Sequence, residues 1–91
     1  MSKSAKVLER YYKGVANHHR IAILKMLHDS KGMTLIEISE ELHGNFKTIS
    51  EHTKRLHQAG LIQKEYRSNF VLHTLSPYGE IMYKTFRLFD K

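Results

Sequence analysis

Four polar side chains recur at the spacing of one helix face within residues 45–62, NFKTISEHTKRLHQAGLI: Lys47, Ser50, Glu51 and Lys54. Lysine can bind a phosphate or a guanine, and a serine hydroxyl can bond to a base or a phosphate. A glutamate can accept a hydrogen bond from the amino group of cytosine. The same pattern is typical of a plain solvent-exposed face, so the neighbouring elements must decide between the two interpretations.

The chain is basic and has no cysteine. Its 91 residues include 15 Lys and Arg against 9 Asp and Glu, a formal net charge of +6 with histidine neutral. This excess favours a polyanionic partner, although solubility alone would also explain it.

Without cysteine, disulfides and thiolate metal sites are excluded. No apolar run approaches the ~20 residues that span a bilayer, and residues 1–14 lack the apolar core of a secretory signal. We therefore predict a cytoplasmic protein that does not associate with membranes.

Apolar periodicity and turn signals predict a series of short elements. They are helices over residues 5–15, 18–30, 35–42 and 45–59, strands over 62–67 and 70–75, and a last helix that starts at residue 77. Asn17 and Asn45 are suited to cap two of the helices, and Thr34 opens a T-x-x-E capping box. Gly14 is expected to break the first helix, and Ser76 before Pro77 begins the last one.

The order of these elements indicates a fold. A short helix joined to a longer one by the tight turn HGN, residues 43–45, is a helix-turn-helix, whose second helix enters the DNA major groove. Ser68 and Asn69 separate the two strands as a hairpin, which directly follows that second helix and makes the unit a winged helix. Residues 31–34, KGMT, are a turn or a short strand, so the wing has two or three strands. We predict a mainly α (α+β) fold with about five helices, in one domain over residues 1–91.

Residues 38–62, ISEELHGNFKTISEHTKRLHQAGLI, resemble the helix-turn-helix of the arsenic-repressor (ArsR-type) family of bacterial and archaeal transcriptional regulators. The shared features are a T-[IV]-S-x-H core at residues 48–52, Leu56, and the exit AGLI. Residues 16–27, ANHHRIAILKML, are similar to a family segment in which an arginine precedes an I-L-x-x-L run. TLSPYGE, residues 74–80, also resembles the related multiple-antibiotic-resistance-regulator type. The chain departs from the ArsR pattern at Glu51, where the family often has Arg, and at Thr53, where it often has Leu.

Two groups of side chains are predicted to contact DNA. On the fourth helix they are Asn45, Lys47, Thr48, Ser50, Glu51, His52 and Lys54; on the wing they are Lys64, Arg67, Ser68 and Asn69. His52 could touch a phosphate or could equally be a packed histidine with one hydrogen bond. The wing tip could instead be a plain polar turn. Glu51 would repel phosphate unless it accepts from a cytosine amino group.

The 7 histidines raise the possibility of a metal site, because many proteins of the resembled family sense metals. No two of them lie four residues apart on one helix, and no carboxylate pattern on the last helix completes a site. The cysteine motif used by such sensors is absent from the third helix. We predict no metal and no other cofactor, with a site assembled between subunits as the alternative.

The two terminal helices carry more apolar surface than a core of this size can cover. The residues predicted to form a dimer interface are Val7, Leu8, Tyr11, Tyr12, Met82, Phe86 and Phe89. A flat ligand pocket between these helices is the weaker alternative. The resemblance implies the same arrangement, since the terminal helices fit the family's dimerisation elements.

These observations predict a homodimer that binds double-stranded DNA sequence-specifically at a palindromic operator and regulates transcription, most simply as a repressor. No glycine-rich phosphate loop, nucleophile motif or carboxylate pair points to an enzyme. The alternatives are a winged helix that binds other proteins and a nonspecific DNA-coating protein.

Overall fold

The computed structural model describes residues 2–90 and contains the predicted order of elements. They are α1 (Ala5–Val15), α2 (His18–Asp29), α3 (Leu35–Glu41), α4 (Phe46–Gln58), β1 (Ile62–Tyr66), β2 (Val71–Leu75) and α5 (Pro77–Leu88). The two strands form an antiparallel hairpin in which Ile62 pairs with Leu75 and Tyr66 with Val71. Five helices and a two-stranded wing confirm the predicted mainly α winged helix-turn-helix.

A polar side chain begins each of the five helices. The capping residues are Ser4, Asn17, Thr34, Asn45 and Ser76, and each side chain accepts a hydrogen bond from a backbone N–H in the first turn of its helix. Thr34 and Glu37 form the predicted reciprocal capping box. Such caps satisfy backbone donors that have no partner within the helix, and each typically stabilises it by about 1 kcal/mol.

The core holds α4 against the other helices of the helix-turn-helix. Its largest fully buried side chains are Ile23, Leu24, Ile38, Ile49, Leu56 and Leu61. Ile49 and Leu56 come from α4, and the others come from α2, from α3 and from the segment that follows α4. Because one face of α4 is fixed in this way, the opposite face is directed to solvent.

A tight turn sets the angle between α3 and α4. His43 has a φ of 52°, a left-handed conformation that a non-glycine residue adopts rarely. Ser39 Oγ donates to the Gly44 carbonyl at 3.1 Å, and the Gly44 N–H donates to the Ser39 carbonyl, also at 3.1 Å. A Cβ at Gly44 would lie 2.8 Å from the Ile49 side chain, so a glycine is needed there by packing.

The wing is fastened to the body of the protein at its base. Met33 and His73 form an isolated antiparallel bridge, in which each N–H donates to the carbonyl of the other residue at 3.1 and 2.7 Å. The segment KGMT therefore contributes one bridge and not a third strand.

The two terminal helices both pack against residues 59–61, where α4 ends. The predicted bounds of the first helix, residues 5–15, are confirmed by α1, and Gly14 lies in its last turn without breaking it. A Cβ at Gly14 would overlap the Cβ of Ala59. On the other side, Ser76 Oγ donates to the Gly60 carbonyl at 2.6 Å, and a Cβ at Gly79 would overlap the Leu61 carbonyl oxygen. Both glycines thus allow a close approach between helix backbones and this junction.

Candidate nucleic-acid interface

The outward face of α4 carries the polar stripe. Lys47, Glu51 and Lys54 are exposed, and Ser50 between them is half-buried. The opposite face is buried through Ile49, Thr53 and Leu56. Thr53, where the resembled family often has Leu, is accommodated because its hydroxyl donates to the Ile49 carbonyl at 2.8 Å.

Asn45 and Thr48 are joined to each other at the start of α4. The Asn45 side-chain oxygen accepts from the Thr48 N–H at 3.1 Å and forms the helix cap. Both side chains are exposed, so the cap leaves the Asn45 amide nitrogen directed to solvent or to a ligand. The backbone N–H groups of this first turn carry the positive end of the helix dipole, which favours a nearby phosphate.

Glu51 has a basic neighbour that sequence reasoning did not include among the site residues. Arg55 Nε lies 3.7 Å from Glu51 Oε1, and both side chains are more than half exposed. An exposed pair of this kind contributes little stability, but the cation reduces the negative potential that Glu51 alone would present to DNA. The i, i+4 order of Glu and Arg is a signal that could have identified the pair.

His52 lies in the seam between α2 and α4. Its ring centroid is 5.2 Å from that of His19, which is 4.1 Å from that of His18. Burial, followed by repulsion from Arg20 and His19, holds the pKa of His52 below its usual range. Its Nδ1 is buried and has no hydrogen-bond partner among the described residues. The His52 ring is thus half-buried between α2 and α4, and its Nδ1 lacks the single hydrogen bond expected for a packed histidine.

The wing presents its predicted residues to solvent. Lys64, Arg67, Ser68 and Asn69 are all exposed, and the Arg67 N–H closes the tip by donating to the Phe70 carbonyl at 2.9 Å. The Arg67 side chain also pairs with Glu65, with Nη2 2.7 Å from Oε1. The wing tip is therefore less positive than Arg67 alone would make it.

Exposed apolar side chains line a groove between α3, the start of α4 and β1. Ile36, Phe46 and Tyr66 are all at least half exposed, and Lys64 lies beside them. None of these three apolar residues was predicted to belong to the interface. Phe46 in particular follows the Asn45 cap directly, at the end of a recognition helix that typically faces base edges.

The predicted dimer residues divide into two groups. Tyr11 and Met82 are buried within the chain itself, and Val7 and Phe86 pack partly against its core, so the expectation that Tyr11 exceeds the intramolecular core was wrong. The Tyr78 ring, centred 5.0 Å away, helps to cover Tyr11. The other predicted dimer residues, Leu8, Tyr12 and Phe89, are exposed. The exposed large apolar residues of α1, of α5 and of its C-terminal cap are Leu8, Tyr12, Tyr78, Ile81, Leu88 and Phe89. An apolar cleft of about 200 Å³ lies between the two helices.

The histidines do not assemble a metal site within residues 2–90, where no cluster of three or more His, Asp or Glu side chains could hold an ion. His28 instead pairs with Glu80 at 3.1 Å and stacks on Tyr83, which links α2 to α5. Over the same residues, no helix has the length and apolar character needed to cross a membrane.

A helix-turn-helix followed by a hairpin wing, with a polar helix face directed outward, defines a winged-helix DNA-binding protein. Residues 17–64 match the family of bacterial regulatory proteins called the arsR family. The chain belongs to this family of DNA-binding transcriptional regulators, and it is not an enzyme.

Solved structures of regulators resemble the whole fold. The chain is 28% identical to HlyU from Vibrio cholerae, with a TM-score of 0.85 and complete coverage of both chains. It is 30% identical to the transcriptional regulator HlyU from Vibrio vulnificus, with a TM-score of 0.74, over 91% of this chain and 83% of that one. The homodimeric winged helix-turn-helix domain of Mb0332 from Mycobacterium bovis shares the fold at 17% identity, with a TM-score of 0.82, over 97% and 87% of the two chains. A search of curated proteins gave no significant match.

Proposed function

We propose that this regulator is a homodimer that binds a palindromic operator sequence-specifically and represses transcription by blocking a promoter. The single observation that carries the proposal is the outward face of α4, where charged and hydroxyl side chains project from a helix whose other face is fully buried. The major groove presents a distinct donor and acceptor pattern for each base pair, which such a face can recognise.

The residues of this face have different roles. Lys47 and Glu51 lie towards the N-terminal half of α4, which typically meets base edges, so they and Ser50 contact bases. Lys54, two turns into the helix, binds phosphate. Asn45, Thr48 and His52 lie at the start and on one flank of α4, where they meet the backbone of one strand.

The wing supplies a further set of contacts. Arg67, Ser68 and Asn69 at the hairpin tip reach the adjacent minor groove or its phosphates, and Lys64 binds the backbone between the two grooves. All four side chains are exposed, which is what such contacts require.

Dimerisation follows from the exposed apolar residues of α1 and α5. Tyr12 is 61% and Phe89 86% exposed, and such large apolar patches usually mark an interface. The homodimeric Mb0332 domain shares this fold. Leu8, Tyr12 and Phe89 form the contact, and Val7, Tyr11, Met82 and Phe86 support it from beneath. A two-fold dimer would place the two α4 helices on half-sites roughly 34 Å apart. We assign residues 1–91 to one such DNA-binding unit, acting in the cytoplasm.

Selection of bound duplexes from random oligonucleotides, followed by sequencing, tests the proposal. A palindromic consensus is the expected result. A protein-interaction module would select nothing, and a DNA-coating protein would bind without a consensus; either outcome would refute specific regulation. Placing the consensus between a promoter and a reporter gene then tests repression, because transcription should fall when the protein is added.

Two variants then test the roles assigned within α4. Lys54→Ala should weaken binding to all sequences alike and reduce the salt dependence by about one unit of slope, since one phosphate contact is lost. Lys84→Ala, which removes the same charge from the exposed side of α5, is the matched control and should change the slope little.

Glu51→Gln should instead change the preferred base at one position of each half-site, by about 1–3 kcal/mol for that base pair. It should also raise nonspecific affinity, because a negative charge leaves the phosphate field. If Glu51→Gln and Lys54→Ala merely scale the affinity for every duplex, the stripe is an electrostatic surface and not a base-specific one.

A further inference from the structure

A cluster of basic side chains joins α2 to α4 on one flank of the recognition helix. We call it the α2–α4 seam and define it by five residues: His18, His19 and Arg20 of α2, and His52 and Arg55 of α4. The three histidine rings follow one another with centroids 4.1 and 5.2 Å apart. Although residues 18–20 and 52–55 are distant in sequence, the packing of α2 on α4 brings them together.

Within residues 2–90, Arg55 is the one residue of the seam that has an acidic partner. Arg20 Nε and His52 Nδ1 are both buried without a hydrogen-bond partner among the described residues. The four charged or titratable neighbours that shift the pKa of His52 are Arg20, His19, Arg55 and His18, and all of them lower it. The acidic partner of Arg55 is Glu51, which lies on the same part of α4 with its Oε1 3.7 Å from Arg55 Nε. Buried polar groups are normally hydrogen-bonded, so such a cluster is suited to an added anion.

Three further features increase the positive potential at the seam. The N-terminus of α2 lies within it, with no acidic residue in the first turn, so the helix dipole also favours an anion there. Arg10 and Lys13 of α1 line a shallow groove together with Arg20 and Arg55. The charge of Lys13 is partly neutralised by Glu9, 3.5 Å away. The third feature is Lys47, which lies beside His52 on the outward face of α4.

The position of the seam on α4 identifies the anion. Successive helix residues are rotated by about 100°, which puts Thr48, His52 and Arg55 on one flank of α4, and Phe46, Ser50 and His57 on the other. Phe46 borders the groove beside β1, so the second flank is the one next to the wing. A helix in a major groove about 12 Å wide has a sugar–phosphate backbone on each side. The wing lies next to one of these sugar–phosphate backbones, and the seam faces the other.

We propose that the α2–α4 seam is a second DNA-phosphate site, on the flank of α4 opposite the wing, and that phosphate binding there is coupled to proton uptake by His52. The proposal rests on the DNA-binding function and adds Arg20, Arg55 and His19 to the residues that hold DNA. Arg20 and Arg55 supply permanent charge, and His52 supplies charge that appears on binding.

The sign of the coupling follows from the surroundings of His52. In the free protein, burial and four basic neighbours disfavour its protonated form. A bound phosphate reverses the local potential, raises the pKa of His52 and draws a proton from solvent. By linkage, DNA affinity must then increase as pH falls, by at most about tenfold per unit of pH for each proton taken up.

Calorimetric titration of a duplex into the intact protein, in buffers of different ionisation enthalpy at one pH near neutrality, measures the proton uptake directly. The wild type should take up between about 0.3 and 1 proton per protomer. His52→Gln should reduce the uptake at least by half, and His57→Gln is the matched control, because His57 is exposed on the other flank of the same helix. Uptake of zero in the wild type, or an equal loss in both variants, would overturn the coupling.

Two further measurements test the phosphate site itself. Arg55→Gln, an exposed position at which folding should be preserved, should lower the salt slope of DNA binding by about one unit. An unchanged slope would overturn the assignment. Inorganic pyrophosphate without DNA is the second probe: proton uptake at micromolar concentration that depends on His52 would identify a site for a free anion and refute the DNA source. If the wild type binds no duplex, the proposed DNA-binding function itself fails. If it binds DNA without taking up a proton, the coupling proposed here fails and the DNA-binding function stands.

Discussion

The contact between Gly14 and Ala59 allows a quantitative test of how α1 is held against the recognition helix. In Gly14→Ala the new Cβ would lie closer to the Ala59 Cβ than the 3.0 Å below which such contacts are essentially never found. The neighbour is a Cβ fixed to the backbone, so no side-chain rotation can relieve the overlap and α1 must move. Overpacking of this kind costs about 1–3 kcal/mol. Replacing glycine inside a helix stabilises it by about 0.5–1 kcal/mol, so the free energy of unfolding should fall by up to about 2.5 kcal/mol.

The double variant separates the overlap from other effects. Ala59→Gly alone should cost about 1–2 kcal/mol, because a buried methyl group is lost and a glycine enters the end of α4. In Gly14→Ala with Ala59→Gly, the methyl group at residue 14 occupies the space left at residue 59. The double variant should therefore be as stable as Ala59→Gly or better, with a coupling energy of about 1–3 kcal/mol.

Urea denaturation followed by circular dichroism measures these free energies of unfolding. All four proteins must be compared at one concentration, because dimerisation makes apparent stability concentration-dependent. Additive losses, or a Gly14→Ala protein more stable than the wild type, would show that α1 is not packed against α4 as closely as the backbone indicates.

Three further predictions concern association, pH and metal. Tyr12→Glu with Phe89→Glu should give a monomer by sedimentation at micromolar concentration, and Tyr66→Glu, a change at an exposed wing residue, should leave the dimer intact; a dimer in the first variant would contradict the interface. Burial lowers the pKa of His73 in the folded protein below the usual value of 6.5. Well above pH 6.5 the His73 ring is neutral in both the folded and the unfolded protein, and just below it the ring gains a proton readily in the unfolded protein alone. The free energy of unfolding should therefore fall as pH drops below 6.5, and His73→Gln should flatten the decline. Added zinc should change the affinity for DNA little. Tight stoichiometric zinc binding in calorimetry, together with a large change in the affinity for DNA, would contradict the prediction that no metal is bound.

The order of elements could be predicted because its signals are local. Caps such as Asn17 and Asn45, the capping box at Thr34 and the Ser76-Pro77 start lie next to the helices that they begin, and each structural boundary falls within a few residues of the predicted one. The outward stripe of α4 follows equally from periodicity, since the spacing that buries Ile49 exposes the residues between.

Contacts between distant segments could not be predicted in this way. Gly14 carries the same local signal whether it ends a helix or admits a neighbouring backbone, and only the packing of α1 on Ala59 decides between them. Tyr11 was assigned to a partner subunit because nothing in its own segment indicates that Tyr78 covers it. The contact of His19 with His52 likewise depends on the packing of α2 against α4, across more than thirty residues of sequence.

The junction at residues 59–61 has a mechanical consequence. Because Gly14 and Gly79 both bring helix backbones into contact with it, the end of α4 is clamped between α1 and α5, and neither terminal helix can shift without displacing it. In a dimer joined through these terminal helices, the distance between the two recognition helices would therefore be fixed. Such a protein measures the distance between half-sites as well as their sequence, so inserting one base pair at the operator centre would impair binding even with both half-sites intact.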